Sequence, residues 1–319
     1  MTPGNYCVHA IEDLSGVLRW LKTKRGAQAD AEHLELMINS LAKAEKFLLP
    51  VNGRLLDDDA MPSEEIIKNL KLPFEAIAVE FPNDHTGPVQ EIDQQVASSK
   101  RIVYCLEDQN LDGYWVTTID YLDNTRHWQL CPVMNLIPYH LVLEPMAIDV
   151  LDKHAQRYVP DSRRNGTVDT FKIRTQTTMP WVVERTCRMT GIDVSDFLNS
   201  SIAEVSSDWR AVVDLTNVLH CQNTTTEKVD PPAKLNAKRI KLGKIPYDSY
   251  HVLKIKTDRS SGPRANAGGT HGSPRQHIRR GHIRTYHRGM PNQHTIFIKQ
   301  MLVGDPSKGK VRKDYEIVR

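Results

Sequence analysis

The sequence predicts an α+β protein with N-terminal helices, a central antiparallel β meander, further helices and a small basic β module at the C-terminus. Apolar residues recur near a helical period in the first 50 residues, and short runs of β-branched and aromatic residues follow between residues 74 and 134. Basic residues then dominate after residue 233. The 319 residues, 39% hydrophobic and 25% charged, are enough for two domains with a buried core.

Two amphipathic helices are predicted at the N-terminus. Residues 9–24 place four apolar side chains on one helical face: Ile11, Leu14, Leu18 and Leu21. The helical period continues over residues 29–49, and we expect the two helices to join around Gly26. A third helix is expected over residues 63–71, because Ser63 is a good N-cap residue and Pro73 would end the helix.

Four short segments predict the meander: residues 74–81, 101–108, 113–122 and 127–134. In the first strand, alternation predicts that Ala78 and Glu80 face one side of the sheet. The side chains of Ile77, Val79 and Phe81 then face the other side. The turn residues of Gln109–Gly113 predict a hairpin between the second and third strands.

The second half is predicted to alternate between helices, loops and strands. Helices are expected at residues 145–158, 180–190 and 207–221. A loop is expected from residue 231 to residue 249, followed by a strand at 250–256 and a flexible Gly- and Ser-rich connection at 257–273. The last part holds three predicted strands: 276–287, 293–303 and 310–318.

Charge divides the chain into two parts. From Lys234 onward there are 20 basic and 5 acidic residues, whereas the preceding residues hold 22 basic and 34 acidic residues. We therefore predict an acidic α+β body at residues 1–233 and a basic, β-rich module at residues 234–319. The basic module faces either an anionic partner or the acidic body of the same chain.

Histidines crowd the basic module, but their pattern does not favour a metal site. His277, His282 and His287 follow one another at intervals of five. That interval places neighbours on opposite faces of a strand, or about 140° apart on a helix. Arginines surround them and repel a dication. We predict no metal and no cofactor.

No constellation typical of catalysis is present in the sequence. There is no GxSxG, no P-loop and no GxGxxG after a strand, and the module's histidines have no local carboxylate partner. The five cysteines are far apart and lack CxxC spacing, which argues against a disulfide framework or a zinc ribbon. We therefore predict a binding protein and not an enzyme. Without an apolar run of membrane length or a signal-peptide pattern, we expect it in the cytoplasm.

The segment Pro274–Gly289 is the strongest candidate for binding. It contains five arginines, three histidines and no acidic residue. As a strand, it would place His282, Arg284 and Tyr286 on one face. Such a face could hold phosphates and stack bases, bind a peptide through arginine forks, or pair with acids of the body. An exposed edge of the meander could also accept an extended peptide as an added strand.

Three stretches of the module resemble a known family. They are RQHIRRGHIRTY at 275–286, TIFIKQMLVGD at 295–305 and KVRKDYEI at 310–317. Together they resemble the C-terminal signature of a family of phage and mobile-element proteins that includes a type V-A anti-CRISPR protein. Gln276 stands where the family pattern has proline, and Ile283 where it has tryptophan. The segments 63–73 and 235–246 are also similar to this family.

The resemblance implies a non-enzymatic binder that acts in the cytoplasm of an infected bacterial host. It implies recognition of a nascent N-terminal peptide of the host's effector nuclease, followed by loss of its messenger. Partners would be the host protein or nascent peptide, and the ribosome or messenger RNA. The matched positions are His277, Arg279, Arg280, Gly281, His282 and Arg284, and we add Tyr286 from the strand pattern. The alternative is a phage protein that binds DNA or RNA directly through the basic module.

Overall fold

The computed structural model describes residues 4–56, 67–84, 98–157, 159, 166–256, 275–279, 282–298, 301–303 and 305–310. For residues 275–279, 301–303 and 305–310 it describes the backbone alone. The helices are α1 Tyr6–Leu21, α2 Gln28–Lys43, α3 Lys153–Gln156, α4 Pro180–Thr190, α5 Val194–Asp208, α6 Arg210–Leu219 and α7 Ala233–Lys241. Short 3-10 turns occur at Val51–Gly53, Ile67–Asn69 and Ile148–Val150.

The strands of the first half are β1 Glu45–Leu48, β2 Ala76–Pro82, β3 Ser98–Asp108, β4 Gly113–Leu122, β5 His127–Leu130, β6 Val133–Pro138 and β7 Glu144–Ala147. Those of the second half are β8 Thr167–Thr170, β9 Arg174–Thr177, β10 Thr224–Val229, β11 Tyr250–Ile255, β12 Arg275–Arg279, β13 His282–Tyr286, β14 His294–Ile298, β15 Met301–Val303 and β16 Asp305–Lys310.

One nine-stranded mixed sheet organises the described part of the chain. Its order is β10-β11-β1-β2-β3-β4-β6-β9, and β5 pairs with β4. Strand β1 runs parallel to both β2 and β11, and the other pairs are antiparallel. Strands β10 and β9 therefore form the two edges of the sheet. Smaller sheets are formed by β15-β12-β16, by β13-β14 and by β7-β8.

Helices cover both faces of the large sheet. Helices α1 and α2 cover one face and bury Leu14, Leu34 and Leu41 against Ile102 and Tyr104 of β3. Helices α5 and α6 cover the other face. This three-layer arrangement buries both apolar faces of the sheet, which is the main source of stability in such folds.

Strand β2 shows how the alternation of the sequence produces the layers. Ala78 contributes to the core under α1 and α2, whereas Ile77, Val79 and Phe81 contribute to the core under α5 and α6. Glu80 is buried on the α1 side, where its carboxylate accepts the backbone N–H of Tyr6 at 3.0 Å and of Cys7 at 2.7 Å. A buried carboxylate thus satisfies N–H groups that the first turn of α1 leaves unpaired.

The predicted fold class is confirmed as mixed α+β, with N-terminal helices, a large sheet, further helices and a small C-terminal hairpin. The first helix, the first three strands of the meander, the turn after β3, the helix at 180–190 and the strand at 250–256 lie within a few residues of their predicted positions, whereas residues 127–134 form β5 and the start of β6 instead of one strand. The faces predicted for β2 are also confirmed. No described helix is long and apolar enough to cross a membrane.

Several predicted elements were wrong. The second helix ends at Lys43, and the apolar residues after it form β1 between two parallel neighbours. Residues 145–158 form β7, a 3-10 turn and the short α3 instead of one helix. The helix predicted at 207–221 is present as α6 over Arg210–Leu219, but residues 207 and 208 end the preceding helix α5, which was not predicted. The expected loop after residue 231 contains α7.

Three predictions fall wholly or partly outside the described residues. Of the helix expected at 63–71, residues 67–69 form a 3-10 turn and residues 63–66 lie outside. The connection at 257–273 and most of the strand expected at 310–318 also lie outside. The boundary at residue 233 stays a prediction, and β11 from its C-terminal side lies inside the large sheet.

Candidate functional site

The predicted binding segment contributes to two different sheets. His277 and Arg279 lie on β12, whose backbone pairs with β15 and β16. Arg280 and Gly281 lie outside the described residues. The remaining three predicted residues, His282, Arg284 and Tyr286, lie on β13. The single strand expected over 276–287 is therefore wrong, because β12 and β13 have separate partners.

Strands β13 and β14 form an antiparallel hairpin with two distinct faces. Ile283 is opposite Phe297 and Thr285 is opposite Thr295, so these four side chains share one face. His282, Arg284 and Tyr286 lie on the other face with their partners Ile298, Ile296 and His294. The face pattern predicted for residues 282–286 is thus present in β13.

The inner face of the hairpin packs on the body of the protein. Phe297 is 5% exposed and lies in a small core with Leu56, Val218 and Cys221. Ile283 is partly buried against the same cluster. Burying an aromatic ring of this size stabilises the attachment by roughly 2 kcal/mol.

The side-chain amide of Asn223 pairs with the backbone of β14, as the backbone of a neighbouring strand would. Its amide Nδ2 donates to the Phe297 carbonyl at 2.7 Å, and its Oδ1 accepts the Phe297 N–H at 2.7 Å. The N–H of Gln222 also donates to the Thr295 carbonyl at 2.9 Å. The hairpin is therefore held on the body by backbone recognition as well as by apolar packing.

A row of stacked cationic and aromatic groups occupies the outer face. The Arg284 guanidinium lies 4.7 Å from the centre of the Tyr286 ring, and Tyr286 stacks on His294 with ring centres 5.3 Å apart and planes 11° apart. His287 lies beside His294 with ring centres 5.8 Å apart. Arg284 is exposed, and within the described part of the chain it makes no ion pair. Its hydrogen-bond donors can therefore bind a carboxylate or phosphate.

Arg239, another arginine of the basic module, is buried and paired, unlike the exposed Arg284. Arg239 of α7 is 9% exposed and donates from Nη2 to Glu12 at 2.9 Å and from Nε to the Ile245 carbonyl at 2.6 Å. Its guanidinium also lies 4.0 Å from the centre of the Tyr247 ring. Arg239 thus joins the basic segment to the acidic body, as the self-docking alternative predicts, whereas Arg284 does not.

The cysteines are poorly suited to nucleophilic or metal chemistry. All five are buried and free. Burial raises the pKa of every one of these thiols, so little thiolate exists near neutral pH. Among the described residues, no group of three or more His, Cys, Asp or Glu side chains could hold a metal ion.

The acidic body has an internal arginine that was not predicted from the sequence. Arg101 of β3 lies 3.0 Å from Asp120, 2.6 Å from Glu204 and 2.7 Å from Asp208. Burial raises the pKa of Asp208 to about 6, even though Arg101 favours its ionised form. These three carboxylates are occupied within the body and are not available to the basic segment.

Asn223 and Phe297, the residues that hold the candidate surface, were not predicted from the sequence. They are 74 residues apart, and no local pattern connects them. The segment TIFI at 295–298 gives no such signal, because three apolar residues follow one another and both faces of the strand carry apolar side chains.

Comparison with known families gives one match. The model of the AcrVA2-like family, described as the anti-CRISPR type V subtype A2 family, matches residues 52–305. This range covers well over half of the chain and includes the β13–β14 hairpin and its anchor Asn223. No curated protein and no solved structure matches the chain.

Proposed function

The chain belongs to the AcrVA2-like anti-CRISPR type V subtype A2 family, and from that premise we propose that it is a non-enzymatic binder that blocks host defence. Its target is a nascent N-terminal peptide of the host's effector nuclease in the bacterial cytoplasm. Loss of the nuclease messenger follows from this recognition. The choice of this target rests on the family resemblance of the basic module. The outer face of the hairpin is a surface suited to binding such a peptide.

The outer face of the hairpin carries this proposal. Arg284, Tyr286 and His294 form a stacked row that faces away from the small core around Phe297. A guanidinium that is already oriented on a ring loses less side-chain entropy when it binds a carboxylate or a backbone carbonyl. The neighbouring rings offer an apolar surface for the side chains of an extended peptide.

Direct binding of nucleic acid is the second candidate function. The same stacked row could accept a base on the ring of Tyr286 or His294 and a phosphate on Arg284. The two candidates differ in salt dependence, because phosphate contacts release condensed counterions and peptide contacts release few. A binding curve at several salt concentrations therefore distinguishes them.

The test is affinity capture from host cells that are actively translating the effector nuclease. Proteomics and RNA sequencing of the captured material would identify peptide, ribosome and messenger. We expect the nuclease's N-terminal peptide and its messenger to be enriched together, and the synthetic peptide alone to bind with weak salt dependence.

Replacement of Arg279, Arg280 and Arg284 by alanine should abolish capture without unfolding the body. Lys238→Ala is the matched control, because Lys238 is an exposed cation of the same basic module that lies on α7, outside the hairpin. Undiminished capture by the triple variant would contradict the proposal. Capture of nucleic acid with no nuclease peptide would favour the second candidate.

A further inference from the structure

Two tryptophans from distant parts of the sequence meet on the surface of the acidic body. Trp20 lies near the end of α1 and Trp181 lies in the first turn of α4, with ring centres 5.6 Å apart in an edge-to-face arrangement. Trp20 is 39% exposed. Val17, one turn earlier, is also exposed, at 38%. Exposed aromatic rings of this size are candidates for binding, because they dominate the energetics of interfaces.

The position of Trp181 is fixed by a buried carboxylate. Asp30 of α2 is 1% exposed and accepts the backbone N–H of Trp181 at 3.4 Å and of Val182 at 2.9 Å. Gly26 adopts a φ of 86° in the turn between α1 and α2, which strongly favours glycine, and this turn packs on the Trp181 ring. The two rings are therefore held in place by three helices before any partner arrives.

Cations surround these rings. The Arg185 guanidinium lies 5.6 Å from the centres of both rings, and Lys24 Nζ lies 5.2 Å from the centre of the Trp20 ring. The segment Arg19–Arg25, RWLKTKR, has four basic residues and no acidic residue. Only its Lys22 is paired with an acid among the described residues, with Glu35 at 2.8 Å. This is a local reversal of charge within the part of the chain where acidic residues outnumber basic ones.

We propose that the surface formed by Trp20, Trp181, Arg185 and Lys24 is a second binding site, which takes a single-stranded nucleic acid. Indole rings accept stacked bases of any sequence, and the adjacent cations accept backbone phosphates. A protein partner is less well matched, because the exposed groups of the neighbouring turn are mainly charged or polar. RNA and DNA share this chemistry, and the experiment separates them.

This inference does not rest on the proposed function of the hairpin. The tryptophan surface lies on α1, α4 and the turn after α1, whereas the hairpin consists of β13 and β14, and the two surfaces share no residue. The two surfaces can therefore fail or succeed independently.

The test is fluorescence anisotropy of short, labelled, unstructured RNA and DNA oligonucleotides with the full chain. We expect binding that weakens as salt increases, together with quenching of tryptophan emission. The double variant Lys24→Glu/Arg185→Glu should weaken binding by at least about tenfold. The slope of log affinity against log salt concentration should fall by the equivalent of about two phosphate contacts. Trp20→Leu should weaken binding and remove part of the quenching. A tighter affinity for RNA or for DNA then identifies which of the two nucleic acids the site binds.

Two controls make the result specific. Lys71→Glu changes an exposed cation next to Leu70 and Leu72, which pack in the core on the opposite face of the sheet, and should leave binding unchanged. Arg284→Glu changes the hairpin and should leave the tryptophan quenching unchanged. The proposal is overturned if neither oligonucleotide binds at low salt, if the double variant binds as tightly as the wild type, or if an acidic peptide binds and the oligonucleotides do not.

Discussion

Arg239 and Arg284 belong to the same basic stretch of sequence but do different work. Arg239 is buried, paired with Glu12 and stacked on Tyr247, and it attaches α7 to the acidic body. Arg284 is exposed on the outer face of the hairpin and stacks on Tyr286. The excess of positive charge is thus partly structural and partly available to a partner. A count of charges in the sequence cannot separate these two uses, whereas burial and pairing can.

The largest effect on stability in this comparison is expected for Arg239→Ala. Its loss removes the side-chain donor of the Ile245 carbonyl and leaves the Glu12 carboxylate with the His9 ring at 3.4 Å. We expect the free energy of unfolding to fall by about 2–3 kcal/mol, with the Glu12 share reduced because that carboxylate is partly exposed to water. Denaturant unfolding followed by circular dichroism measures this change. A loss below about 0.5 kcal/mol would show that the contacts of Arg239 contribute no more to stability than those of an ordinary surface residue.

A smaller effect is expected at the attachment of the hairpin. Asn223→Ala removes both amide hydrogen bonds to Phe297, at about 0.5–1.5 kcal/mol each. Because Phe297 still packs on the body, we expect local opening of the hairpin instead of global unfolding. Hydrogen exchange should therefore accelerate in β14 and remain unchanged in β3. Equal acceleration in both strands would contradict a local role for Asn223.

The sequence was sufficient to predict elements whose causes are local. The alternation in β2 fixes which side chains face each helical layer, and the turn residues after β3 fix its hairpin. Strand β1 was wrongly predicted as part of the second helix, because its residues EKFL continue the helical apolar pattern. The two strands that pair with β1 in parallel are distant in sequence, so no local pattern indicates them. Helix α7 was not predicted for a similar reason, since the contact of Arg239 with Glu12 spans 227 residues. The shared face of His282, Arg284 and Tyr286 follows from strand alternation, but the anchors Asn223 and Phe297 depend on tertiary contacts.

Arg101 is buried inside the acidic body and pairs with Asp208. The pH dependence of stability can test this pairing. The pKa of Asp208 beside Arg101 is raised by burial to about 6, from an ordinary value near 3.8. The native state therefore binds this proton more tightly than the unfolded chain, and stability rises as pH falls through the window from about 6 to about 4. Between pH 7 and pH 5 we expect a gain of about 1 kcal/mol from this group.

Asp208→Asn removes that contribution, because asparagine keeps an acceptor for Arg101 but does not titrate, and it also removes a charge that raises the pKa of Asp120. The difference in unfolding free energy between the wild type and this variant should change by about 1 kcal/mol from pH 7 to pH 5, in favour of the wild type at pH 5. A difference that is independent of pH would show that Asp208 does not bind a proton in this range.

The most direct test of the account is the effect of Arg284→Ala on stability and on binding in the same sample. The free energy of unfolding should stay within about 0.5 kcal/mol of the wild type, since Arg284 is exposed. The affinity for the N-terminal peptide of the effector nuclease should fall by at least about tenfold, with Lys238→Ala unchanged in both measurements. Wild-type affinity in the Arg284→Ala variant would contradict the assignment of the hairpin's outer face as the binding surface.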